Sequence, residues 1–190
     1  MRFTRRDTLR AAALCTFGAS ALAPQGAAAG AGPERLLRTG PRPLPEFLFL
    51  TADGAERRVA DYAGRGLVIN LWATWCPPCV AEMPALDRLH ALLAPDAIEV
   101  LALSSDRGGA AQVAPFYERL GLRNLAILLD PLGRAARALG ARGLPTTVVV
   151  GREGQELARL EGAAEWDRPD MVAALGALIG PLPGRPADRA

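Results

Sequence analysis

An apolar run, Gly66-Leu67-Val68-Ile69-Asn70-Leu71-Trp72-Ala73, leads directly into Thr74-Trp75-Cys76-Pro77-Pro78-Cys79. The run is apolar and β-branched in its middle and follows a glycine, which predicts a buried strand. Residues 80–93 carry a helical pattern that Pro84 should kink. Strand, turn and helix in that order place the two cysteines at a helix start, where a two-residue gap lets the sulfurs meet across one turn. Unpaired N–H groups at a helix start favour a thiolate on the first cysteine, so Cys76 is the candidate nucleophile. Such a pattern suits a reversible dithiol/disulfide. The same spacing is half of a zinc site, but zinc needs two more Cys or His ligands, and beyond the pair the sequence offers only Cys15 and His90.

The rest of the chain alternates strands with helices. Residues 46–50 and 56–59 read as a hairpin around Asp53-Gly54, and residues 61–64 as a short helical turn. Residues 98–105 read as a strand, 109–120 as a helix, 125–129 as a short strand, and a further helix runs to about residue 139. Residues 146–150 and 155–160 form two antiparallel strands around Gly151-Arg152-Glu153-Gly154. A closing helix over 167–179 turns Trp166, Met171, Leu175 and Leu178 inward. This order predicts an α/β domain over residues 45–180, a mixed, mostly parallel sheet with helices on both faces. Residues 30–44, rich in Gly, Pro and Arg, read as a linker, and residues 181–190 as a disordered tail.

One carboxylate falls on the buried stripe of the dithiol helix. Cys79, Glu82, Leu86, Leu89 and Leu93 share a face, so Glu82 lies among leucines beside the second cysteine. A first-turn glutamate can also simply favour the helix dipole or point outward. Buried, it is an acid of raised pKa able to exchange a proton with Cys79. His90 reads as a helix-surface residue without a role.

The first residues read as an address. Thr4-Arg5-Arg6-Asp7-Thr8-Leu9-Arg10 resembles a twin-arginine export signal, followed by an apolar run over 11–23 and small residues at Ala27-Ala28-Ala29. An alanine-rich disordered tail is the alternative. Cys15 follows Leu14, the wrong size for lipoprotein processing. Removing residues 1–29 takes four arginines and one aspartate from totals of 22 and 20, leaving 18 basic and 19 acidic residues. Both remaining cysteines lie in the motif, so no separate structural disulfide is expected. All the basic residues are arginine, which excludes a lysine partner for the thiols, and a net charge of +2 gives no electrostatic case for nucleic acid.

Asn70-Leu71-Trp72-Ala73-Thr74-Trp75-Cys76-Pro77-Pro78-Cys79, then Pro84, then Gly143-Leu144-Pro145-Thr146-Thr147 occur in an order and at separations that resemble the thioredoxin superfamily. Within it the likeness is to the exported TlpA/ResA-like thiol-disulfide oxidoreductases, over residues 45–179. The resemblance implies a thioredoxin-like fold with an N-terminal β-hairpin extension and a central helix-strand insertion. It implies a cis peptide bond before Pro145 and docking of an extended partner on Leu144 and Pro145, with Trp75, Pro77 and Pro78 around the thiols. Glu82 stands where the group carries an acid that serves the second cysteine. Asn70 stands where thioredoxin has a buried aspartate, a departure that favours Glu82 as the acid.

The expected protein is a periplasmic monomer, with its signal cleaved or kept as an anchor. Cys76 and Cys79 would be its redox group, with no metal or other cofactor. Disulfide-bearing exported proteins would be its substrates and a membrane thiol carrier its electron donor, in roles of the cytochrome c maturation or copper-site assembly type. A disulfide-donating oxidant and a Cu(I)-binding metallochaperone remain alternatives. Thr74 lies two residues before Cys76 rather than three, so the peroxiredoxin pattern is not matched.

Overall fold

The computed structural model describes residues 32–182. The twin-arginine-like segment, Cys15 and the end of the expected tail lie outside the described residues. The strands are β1 (Leu37–Pro43), β2 (Leu48–Thr51), β3 (Glu56–Arg58), β4 (Gly66–Trp72), β5 (Ile98–Ser104), β6 (Leu128–Leu129), β7 (Thr146–Val150) and β8 (Gln155–Glu161). The helices are α1 (Pro77–Leu93), α2 (Ala110–Leu120), α3 (Arg134–Ala138) and α4 (Pro169–Ile179). One mixed sheet runs in the order β1-β8-β7-β4-β5-β6-β2-β3. β4, β5 and β6 are parallel to one another, and the remaining pairings are antiparallel. This is the thioredoxin-like arrangement expected from the motifs, with the β2–β3 hairpin joined to the sheet through β6.

Every residue of β4 is buried, as a central strand covered on both faces requires. Side chains alternate across the sheet, so Val68 and Trp72 join Met83, Leu86 and Leu89 of α1 on one face with α2 and α4. Leu67, Ile69 and Leu71 pack on the other face with Phe47, Phe49, Ala135 and Leu139. The same alternation turns Asn70 toward α1.

Several expectations change. The sheet, expected to be mostly parallel, has two parallel pairings and five antiparallel ones, because the hairpins β2–β3 and β7–β8 and the edge strand β1 all pair antiparallel. Residues 33–43, read as linker, form a 3-10 turn (Pro33–Arg35) and then β1, an edge strand on β8. Its residues are mostly exposed, so backbone pairing holds it and no apolar alternation announces it. Gly40, at φ 71°, falls within the register shift between Arg38 and Arg42. Arg35 also donates to the carbonyls of Glu161 and Ala163. The strand expected over 125–129 shrinks to Leu128–Leu129, and Asp87 on α1 accepts from the N–H groups of Arg123, Asn124 and Leu125, which takes Leu125 out of the ladder. In α4 the third inward position passes from Leu178, which is half-buried, to Ile179.

Candidate active site

Cys76 is the N-cap of α1 and is bonded to Cys79, with Cα atoms 5.3 Å apart. Pro77 occupies the first helical position, where its fixed φ suits a helix start and its missing N–H costs nothing. Cys79 N–H points at Cys76 Sγ, at 3.4 Å. Cys76 retains 5% exposure and Cys79 none, while Pro77, Pro78 and Trp75 are exposed beside them. An incoming sulfur therefore meets Cys76 first.

The turn before Cys76 is locked from behind. Buried Asp106, just beyond β5, accepts from the N–H and hydroxyl of Thr74, from Ser104 and from Gln112. Ser105 N–H also donates to Trp72 O, tying the end of β5 to the end of β4. These bonds hold the dithiol turn in one geometry. In sequence alone, Ser104-Ser105-Asp106 after a strand carries only a loop-and-cap pattern.

Glu82 is 3% exposed and lies one helical turn from Cys79. Its Oε1 accepts from Asn70 Nδ2 at 2.9 Å, and its Oε2 from Ala164 N–H at 3.0 Å and Trp166 Nε1 at 2.7 Å. The outward alternative is excluded. Burial pushes the Glu82 carboxyl above its ordinary pKa, and the three donors, with Arg35 farther off, offset only part of that rise. Asn70 and Thr147 face each other across β4 and β7, and Asn70 Nδ2 also donates to Thr147 Oγ1 at 2.9 Å. Asn70 Oδ1 is buried and has no partner among the described residues. The roles of Trp166 and Thr147 were invisible in the sequence, which marked the first as an inward apolar residue and the second as an ordinary strand residue.

The Leu144–Pro145 peptide bond is cis. Thr146 pairs with Leu71, so Pro145 stands at the end of the sheet where β4 gives way to the dithiol turn. Pro145 O accepts from Gly162 N–H, and the backbone of Leu144 makes no hydrogen bond among the described residues. A cleft of about 230 Å³ runs along Leu144 and Pro145 between Arg142 and Glu161. His90 lies elsewhere, its Nδ1 accepting from Val100 N–H on the free side of β5. It is half-buried rather than a free surface residue.

Known proteins share sequence or fold with this chain. The chain is 34% identical over 111 residues to the thiol-disulfide oxidoreductase ResA of Geobacillus thermodenitrificans, covering 58% of this chain and 63% of that protein. That is less than two thirds of the relative's length. The exposed lipoprotein thioredoxin Etrx1 of Streptococcus pneumoniae superposes with a TM-score of 0.58 at 29% identity, covering 68% of this chain and 97% of that one. A thiol:disulfide interchange protein of the thioredoxin family from Chlorobium tepidum shares the fold, with a TM-score of 0.57 at 24% identity over 72% of this chain and 97% of that one. The Redoxin family model matches residues 41–175, a span that takes in both cysteines, Glu82 and Pro145, and the chain belongs to the Redoxin family.

Proposed function

We propose that the protein is a thiol-disulfide oxidoreductase that reduces disulfides in exported proteins. The observation that carries this reading is a disulfide at a helix start whose outer sulfur is reachable and whose inner sulfur is sealed beside a buried carboxylate. In the reduced protein, Cys76 thiolate attacks one sulfur of a partner disulfide and the other partner sulfur leaves as a thiolate, which takes up a proton. Glu82 accepts the proton of Cys79, whose thiolate then attacks the Cys76 sulfur of the mixed disulfide. The second partner thiol departs, two electrons have passed to the partner, and the Cys76–Cys79 disulfide re-forms. The unbonded backbone of Leu144 supports docking of an extended partner strand against Pro145.

The cycle needs a fresh pair of electrons each turn. We assign that supply to a membrane thiol carrier, as the resemblance to exported TlpA/ResA-like proteins implies, and the location to the periplasm, on the twin-arginine-like opening of the sequence. Partner thiols destined for haem attachment or copper insertion suit such a reductant. The name of the ResA relative supports the reaction, and that of the exposed lipoprotein thioredoxin supports a place outside the cytoplasm.

A trapping experiment tests the reading. Reduced Cys79→Ala protein, mixed with a peptide disulfide, is expected to accumulate a covalent adduct on Cys76 that the wild type resolves. Absence of any adduct, with no thiol release by the wild type, contradicts it.

A further inference from the structure

β4, β5 and β6 are parallel, so their C-terminal ends open onto the same edge of the sheet as the dithiol. In open α/β sheets such ends are where ligands collect. Here a cleft of about 650 Å³ lies between Trp75 and the loops that follow β5 and β6. Trp75 is 66% exposed and Leu132, on the β6 loop, is 62% exposed, two of the few large apolar side chains left in solvent. Arg107 and Arg137 also line the cleft, and among the described residues no carboxylate does.

The walls are built rather than loose. Asp130, almost fully buried, holds the β6 loop: its side chain accepts from the N–H groups of Arg134 and Ala136, and its carbonyl from Gly133 N–H. Gly133 takes φ 63°, a conformation that favours glycine, and the turn holds Leu132 outward. Arg137 Nη1 donates to Leu132 O and braces the same turn. On the other wall Asp106 locks the loop that carries Arg107. Arg107 itself is exposed and makes no hydrogen bond or ion pair within the described residues. Both aspartates spend their oxygens on groups behind the wall, so the charged side chains lining the cleft are the two guanidiniums, set among Trp75, Leu132, Pro131 and Ser105. A preformed surface of this kind binds without first having to order itself.

We propose that this cleft is the specificity site for the partner: it receives an acidic protein segment with an apolar anchor, lying beside the cysteine that Cys76 attacks. The apolar residue rests between Trp75 and Leu132, and carboxylates meet Arg107 and Arg137. The opposite cleft, along Pro145, is bordered by one arginine and one glutamate and carries no net preference. The two clefts thus divide the work: backbone docking on the Pro145 side, and charge selection on the Trp75 side. The proposal rests on the oxidoreductase reading above.

The test compares three disulfides with the full-length reduced protein: a peptide with acidic residues and one leucine flanking its cysteine, the same peptide with lysines for the acids, and 2-hydroxyethyl disulfide. The acidic peptide is expected to exceed the basic one by about tenfold in kcat/KM at low salt, the gap closing as ionic strength rises. Arg107→Glu, which leaves Arg137 opposed by one carboxylate, should abolish the preference and Arg107→Lys should retain it, with 2-hydroxyethyl disulfide turned over equally by all. Leu132→Ser should lower kcat/KM for both peptides and leave the small disulfide untouched. Equal turnover of the two peptides by the wild type, or a loss in Arg107→Glu that extends to 2-hydroxyethyl disulfide, overturns the cleft proposal. Failure of the wild type to reduce any of the three overturns instead the reading on which it rests.

Discussion

Asn70 on the central strand and Glu82 on the dithiol helix meet at 2.9 Å, the amide donating to the carboxylate in a site sealed from solvent. Ala164 N–H and Trp166 Nε1 donate to the other carboxylate oxygen, so Glu82 is held by three donors. The unpartnered oxygen of Asn70 belongs to the same amide. A half-turn of that amide offers an acceptor to a protonated Glu82, with Thr147 hydroxyl then donating in place of accepting. The site therefore accommodates both protonation states of the acid.

Glu82→Gln should fold, because its amide oxygen can still accept from Ala164 and Trp166 while its NH₂ meets the turned amide of Asn70. It should slow resolution of the mixed disulfide by roughly 100-fold, the scale of a lost general base. In the wild type the rate should rise with pH as Glu82 ionises, and that limb should be missing in the variant. Quench-flow trapping of the mixed disulfide across pH checks both.

The same acid sets a stability slope. The folded protein raises the Glu82 pKa above the ordinary value of 4.5, so the native state binds a proton that the unfolded chain has already released. Stability from this group should fall as pH rises from about that value through the folded pKa, and Glu82→Gln should flatten the slope. Urea unfolding at a series of pH values measures the difference.

Trp166→Phe removes the 2.7 Å donor while keeping most of the buried ring. With one of the lowering hydrogen bonds gone, the Glu82 pKa should move further up, carrying the pH limb of the resolution rate with it. Stability should fall by about 1.5–3 kcal/mol, the range for a hydrogen bond to a charged group. A loss of stability with an unmoved pH limb would show that Trp166 serves packing alone.

Asp87 runs the other way. Burial pushes its pKa up, but the N–H groups of Arg123, Asn124 and Leu125 and the Asn124 amide more than offset this and leave it below the ordinary 3.8. Its contribution is therefore complete at neutral pH and is lost as pH falls through the folded pKa. Asp87→Ala should cost about 2–4 kcal/mol at pH 7, since it strands several N–H groups at once, and less in acid. Thermal or denaturant unfolding at pH 7 and pH 3 checks the pair.

The elements that built the site were legible wherever burial imposed a period. The near-continuous apolar run of β4, the α1 stripe through Cys79 and Glu82, and the hairpin at Asp53-Gly54 follow from burial on both faces, from a period of 3.6 and from turn chemistry. β1 was not legible because an exposed edge strand is held by backbone pairing, which leaves no side-chain pattern. The partners of Glu82 were hidden for another reason. Ala164 contributes a main-chain N–H that any residue would supply, and Trp166 looks like core from its spacing because its ring is core. The loops that Asp106 and Asp130 lock were also hidden, since an aspartate after a strand reads as a turn residue whatever it holds.

The reduction potential of the Cys76/Cys79 pair tests the central claim most directly. Equilibrating the protein in graded thiol/disulfide buffers and counting free thiols gives the value. A reductant predicts a potential near that of thioredoxin, about −270 mV. A potential near −120 mV, that of a strong disulfide donor, would contradict the account and reverse the direction of electron flow.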